Sequence, residues 1–240
     1  MIKIFKFIIY IMNLKKLFSY TLILSIYVQF ATLAINLMVS TKNIPREYYI
    51  IKELFFLELF VQIIEGLFYI WLAFNFKKLS NMTPNRYMDW VLTTPTMLIT
   101  LISYLIFLQA KVTKQTSSLT LTSILKTNYK TLVPILCLNW MMLLFGYLGE
   151  IKVIPIIYSV VLGFIPFLIY YFMIYKNFVN KNISMSGYNI FIYFFFFWSL
   201  YGVAALMPYY IKNISYNILD LFAKNFFGLF LVYIIYTNSY

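Results

Sequence analysis

Apolar residues fill long, nearly unbroken stretches of this chain, and polar residues gather in short segments between them. Seven apolar stretches run over 17–39, 50–75, 85–109, 131–149, 153–175, 187–210 and 215–237. Each has about the 20 residues needed to cross roughly 30 Å of hydrocarbon. The pattern predicts an all-α membrane protein, a bundle of seven transmembrane helices with no soluble domain beside it. The connections 40–46, 75–84, 111–130, 176–188 and 212–216 are polar and short, and no repeat or low-complexity tract appears. The beginning of the chain differs. Lys3, Lys6, Lys15 and Lys16 flank an apolar stretch of about ten residues, too short to span, which reads as a cleaved signal or a helix lying in the interface. The expected division is 1–16 as a basic, apolar N-terminal segment and 17–240 as the seven-helix domain.

Charged residues inside the spans carry the chemistry. Lys224 is the only lysine that these boundaries place deep within a span, and Asp220 stands four residues before it. An ammonium at bilayer depth is costly, and a carboxylate one helical turn away is its natural partner. Condensation of the amine with an aldehyde escapes the cost, as in a retinal Schiff base, whose proton then needs a carboxylate counter-ion. A structural Lys/Asp pair joining helices is the other reading, and this span alone does not decide. The third span opens Arg86-Tyr87-Met88-Asp89-Trp90-Val91-Leu92-Thr93-Thr94-Pro95. Spacings of three and four put Arg86, Asp89 and Thr93 on one face. Pro95 is tolerable where neighbours satisfy the carbonyl it frees, a task for which Thr93 and Thr94 are placed.

The string R-Y-x-D-W-x-x-T-T-P closely resembles the third helix of microbial (type 1) rhodopsins, and D-L-x-x-K-N-x-x-G closely resembles their seventh. The resemblance implies the microbial rhodopsin fold, with all-trans retinal on Lys224 and Asp89 and Asp220 sharing the neighbourhood of the Schiff base proton. It implies Asp89 as primary proton acceptor with Thr93 hydrogen-bonded to it, and Arg86 one turn below offsetting the like charge of the carboxylates. Trp90, together with Trp198 and Tyr201 in Phe196-Phe197-Trp198-Ser199-Leu200-Tyr201, looks like the family's ring-sandwiching aromatics. Gly202 stands where the family usually has proline and Ala205 where many members have tryptophan, which implies a softer or roomier sixth helix at the far end of the pocket.

Composition agrees with the class: 63% hydrophobic residues, 11% charged and a mean hydropathy of +0.83. The net charge of +12 is spread over loops rather than clustered, so nucleic acid is not an expected partner. It does not orient the chain either. Lys3, Lys6, Lys15, Lys16, Lys77, Lys78, Lys152 and Lys212 lie on the N-terminal side, against Lys42, Arg46, Lys52, Lys111, Lys114, Lys126, Lys130, Lys176 and Lys181 on the other. An N-terminus outside rests on the resemblance alone. With no histidine and one cysteine, Cys137, neither a zinc site nor a disulfide framework nor a Ser/His/Asp set is available, and Cys137 reads as a buried free thiol. No enzymatic chemistry is expected.

Two polar stripes bear on transport. Ser25, Gln29, Thr32 and Asn36 in the first span, and Glu58, Gln62, Glu65 and Tyr69 in the second, are both spaced four, three and four. Each makes one polar face. Interhelical glue is the plain reading for the neutral residues, but two glutamates seven apart must each face water or a partner. A cation channel needs such a file. A proton pump needs a second carboxyl, held protonated by apolar surroundings, beyond the Schiff base. Outward pumps similar to bacteriorhodopsin carry it eleven residues after the acceptor, where this chain has Thr100. The paired glutamates, and the asparagine after the lysine, resemble channelrhodopsins, and the short loops look more like the channel-type rhodopsins of giant algal viruses than the larger algal proteins. By that analogy Ser25, Glu65 and Asn225 form a gate, Glu58 and Gln29 line the ion path with Arg86 at its charged end, and Thr94 and Asn139 bridge helices three and four. The expectation is a retinal-binding light-gated cation channel. A light-driven outward proton pump is the alternative and a sensory rhodopsin the third reading. Expected partners are membrane lipid and monovalent cations or protons, with assembly into a homo-oligomer left open.

Overall fold

The computed structural model describes residues 2–75, 81–179 and 184–239, with side chains from residue 11 onward. The helices are α1 (Ile2–Ser40), α2 (Tyr49–Asn75), α3 (Arg86–Val112), α4 (Leu121–Glu150), α5 (Ile156–Ile174), α6 (Met185–Ala205), α7 (Tyr209–Asp220) and α8 (Phe226–Asn238). A π-helical turn, Leu221–Asn225, joins α7 to α8, so that Tyr209–Asn238 crosses as one seventh span. No strand occurs among the described residues. Among the described residues seven spans are long and apolar enough to cross a membrane, and the protein is an integral multi-pass membrane protein. In the most apolar window of α3, 61% of residues are buried, against 28% in α4, so α3 stands in the middle of the bundle and α4 at its rim.

Several boundaries depart from the hydropathy pattern. α1 starts at Ile2, and its 39 residues make a rod of about 58 Å, roughly twice the hydrocarbon thickness. The basic segment is therefore helical and continuous with the first span. Lys15 and Lys16 are exposed along it, while the side chains of Lys3 and Lys6, and all of Lys77, Lys78 and Lys181, lie outside the described residues. α4 begins at Leu121, ten residues ahead of its apolar stretch, because a helix beyond the hydrocarbon needs caps rather than apolar side chains. Thr120 and Ser123 form a capping box there, and the Glu53 carboxylate accepts from the Leu121 amide at 2.6 Å. Residues 212–216, expected as a loop, belong to α7, which starts behind Pro208. A residue preceding proline resists helical geometry, and α6 ends at Ala205.

Cys137 is exposed, not buried. The buried stripe of α4 runs through Leu132, Ile135, Asn139 and Leu143, and Cys137 lies off it. The proline in α3 is also accommodated differently from expectation. Thr93 and Thr94 donate to the carbonyls of Asp89 (3.0 Å) and Trp90 (2.8 Å). The carbonyl that Pro95 leaves without an amide is that of Val91, and the Trp140 indole N–H of α4 takes it at 3.0 Å.

Candidate functional site

The seventh span carries Asn213, Asn217, Asp220 and Lys224 at spacings of four, three and four, and all four side chains are buried. The face they form meets α1, α2 and α3. Lys224 Nζ donates to Asp89 Oδ2 at 2.5 Å and lies 3.5 Å from Glu65 Oε1 and 3.8 Å from Asp220 Oδ1. Arg86, fully buried, reaches Asp220 Oδ2 at 3.5 Å, and its remaining donors bond Asn213 Oδ1 at 3.1 Å, Asn213 O at 3.4 Å and Asn217 Oδ1 at 2.5 Å. Three carboxylates thus face two cations at one buried site.

The carboxylates are not held alike. Tyr69 and Tyr201 each donate to Asp220 at 2.7 Å, one to either oxygen. Neither oxygen of Glu65 has a hydrogen bond, nor has Asp89 Oδ1. Thr93 was expected to bond the Asp89 carboxylate, but its hydroxyl turns back to the Asp89 backbone carbonyl, the habit of a threonine inside a helix. Tyr201, read as a retinal-sandwiching ring, both lines the cavity described next and anchors Asp220.

A largely apolar cavity opens from Lys224 and extends between α3, α4, α5 and α6. Trp90 and Trp198 line it with Met97, Leu143, Phe164 and Ala205. Trp90 stands edge-to-face against Tyr201 (5.5 Å, 89°) and Tyr216 (5.1 Å, 88°), which fixes its indole plane. The expected extra room at Gly202 is absent: a Cβ there would meet the Phe164 ring at 2.5 Å, so that ring occupies the space. Thr94 also lines the cavity and accepts from Asn139 Nδ2 of α4 at 2.8 Å. A buried amine with adjacent carboxylates at one end and aromatic walls along the rest is a donor set that fits a conjugated polyene aldehyde.

A second polar run follows the seam between α1, α2 and the seventh span. Asn217 donates to Thr21 Oγ1 at 3.0 Å, and Ser25 donates to the Asn217 carbonyl at 3.3 Å. Farther along, Gln29 donates to Asn225 Oδ1 at 3.1 Å, Gln62 donates to the Gln29 side chain, and Asn225 donates to Thr32 at 3.1 Å. Asn36 follows with both amide atoms unpartnered, and Glu58 lies beside the Thr100 side chain, its Oε1 unpartnered. No hydrogen bond joins Ser25, Glu65 and Asn225 to one another. Gln29, expected only to line the path, touches Asn225, Gln62 and Glu65 and is the hub of the seam.

The asparagines of α7 were not singled out from the sequence, although they repeat the four-three-four spacing that marked the first two spans. Nor was the ion pair of Lys212 with Glu150 at 2.8 Å. Lys212 is buried in the first turn of α7, at the end of the seventh span, whereas Lys224 lies deep within it.

No curated protein sequence matches the chain. Among solved structures, the viral rhodopsin OLPVRII is similar at 26% identity and a TM-score of 0.77, over 92% of this chain and 98% of that one. The proton-pumping rhodopsin AR2 from the marine alga Acetabularia acetabulum is 18% identical at a TM-score of 0.70, covering 92% and 95% of the two chains. Xanthorhodopsin, a light-driven ion pump with a dual chromophore, is 17% identical at 0.71, with 95% of each chain covered. The last two establish a common fold only. The family model described as bacteriorhodopsin-like protein matches residues 16–238. With Lys224, its carboxylates and the aromatic cavity all inside that stretch, the chain belongs to the bacteriorhodopsin-like family of microbial rhodopsins, which bind retinal.

Proposed function

We propose that this rhodopsin is a light-gated cation channel, carrying all-trans retinal on Lys224 and lying in the membrane with its N-terminus outside. The observation that carries the reading is the buried polar seam between α1, α2 and the seventh span, which reaches the Lys224 site through Gln29, Glu65 and Asn225. Retinal, bound there, supplies light absorption and an isomerisation that displaces the nitrogen of Lys224. Asp89, the nearest carboxylate, holds the proton-bearing nitrogen in the dark and accepts its proton after light. Asp220 is tied by two tyrosines and Arg86 and keeps its place.

Glu65 is the link between the two events. Its carboxylate sits beside Lys224 with no hydrogen bond of its own, so its Coulomb partner is lost when the nitrogen moves. With three carboxylates against two cations, the cluster has an excess negative charge that a proton or a passing cation offsets. Asn36 and Glu58, both buried with unpartnered polar atoms, continue the path towards the opposite side.

One observation favours the second reading, an outward proton pump. Glu58 contacts Thr100, so α2 delivers a carboxyl to the place where the sequence of α3 lacks one. The test is current from voltage-clamped cells in mixed Na⁺/H⁺ gradients. In a channel, Glu65→Gln changes the reversal potential while pigment yield holds, since glutamine keeps size and hydrogen bonding but not charge, and Thr100→Val has little effect. Outward current at every voltage, indifferent to Glu65→Gln, would promote the pump.

A further inference from the structure

We infer that Lys212 and Glu150 form a lid over the end of the retinal cavity on the N-terminal side of the bundle, keeping water away from the chromophore. The inference rests on retinal occupying that cavity. Lys212 lies one helical turn before Tyr216, and Glu150 one turn after Gly146, and both Tyr216 and Gly146 line the cavity. The residues four away from a position share its face. The ion pair therefore crosses directly above the cavity, joining the last residue of α4 to the first turn of α7.

The construction of the pair supports a barrier rather than a surface contact. The side chains are 5% exposed for Glu150 and 11% for Lys212, and Nζ to Oε1 is 2.8 Å. Beneath it, Tyr87 packs against Gly146 so closely that a Cβ there would strike the Tyr87 hydroxyl, and Tyr87 stacks edge-on against Trp90 at 4.9 Å. Trp90 in turn meets Tyr216. The ion pair, Tyr87 and Tyr216 thus close successive layers between bulk water and the polyene. Neither Lys212 nor Glu150 contacts the Lys224 cluster, so the pair is free of the counter-ion's work. Removing one partner of a buried pair leaves the other charge uncompensated, and that charge draws water or opens the local structure.

Hydroxylamine in the dark measures the barrier without any photocurrent, because the reagent must reach the Schiff base from water to bleach the pigment. The wild type, Lys212→Met, Glu150→Gln and the swapped pair Lys212→Glu/Glu150→Lys are each loaded with all-trans retinal and bleached well below their melting temperatures. The single changes are expected to speed bleaching by at least about tenfold, and the swap, which restores the ion pair, to return it to within about twofold of wild type. Equal bleaching rates in coloured single variants would overturn the lid, as would a swap no better than the singles despite normal pigment yield. Should a single variant fail to form pigment, the swapped protein still decides: slow bleaching supports the lid and fast bleaching overturns it. A wild-type chain that binds no retinal would instead defeat the retinal reading itself, a result plainly different from either.

Discussion

Replacing Asp89 with asparagine tests how the charge around Lys224 is divided. The nitrogen lies 2.5 Å from Asp89, 3.5 Å from Glu65 and 3.8 Å from Asp220. With an effective dielectric of about 20, unit charges at those separations attract by roughly 7, 5 and 4 kcal/mol. Asp89 thus supplies about two-fifths of the attraction, or about one and a half times the share of either neighbour. Asp89→Asn should shift the visible band to the red, or leave the Schiff base unprotonated near neutral pH, and should abolish fast proton transfer. Asp220→Asn should change the spectrum less but weaken the protein more, because the Tyr69 and Tyr201 hydroxyls and Arg86 all lean on that carboxylate. Each buried donor left unpaired costs about 1–3 kcal/mol. The assay is the absorption spectrum and thermal bleaching of the two purified variants side by side. A larger spectral change at Asp220, or none at Asp89, would make Asp220 the principal counter-ion and refute the assignment.

Lys224→Ala should give a colourless protein when expressed with retinal; a visible band in that variant would end the account of the chromophore site. Trp140→Phe removes the indole donor to the Val91 carbonyl beside Pro95, and should destabilise the folded protein by about 1–3 kcal/mol with little change of colour, so unaltered thermal unfolding would show that the carbonyl finds another partner.

The sequence was most informative where burial and charge conflict. Asp89, Asp220, Lys224, Glu58 and Glu65 stood out because no apolar span tolerates a charge without a partner, and the structure buries all five. Helix periodicity also put the polar residues of α1 and α2 on single faces, which the bundle turns towards the seventh span. Pairing across helices was less legible. That Gln29 is the hub, that Tyr201 anchors Asp220, and that Trp140 supports Pro95 all depend on which faces meet, and spacing within one helix does not reveal this. Lys212 was lost for another reason. Its neighbours Tyr209, Tyr210, Asn213 and Ser215 lower the local hydropathy, so the first turns of α7 read as loop, and the partner that makes burial tolerable, Glu150, lies 62 residues away. The start of α4 was hidden likewise, since hydropathy marks where a helix meets lipid and not where its hydrogen bonds begin.

Passive conduction would show in the photocurrent–voltage curve of the wild-type protein. With retinal supplied and unequal cation concentrations across a clamped membrane, a channel gives a light-evoked current that reverses sign, with a reversal potential that follows the cation gradient when the gradient is changed. A light-evoked current that stays outward at all voltages and ignores the gradient would contradict passive conduction.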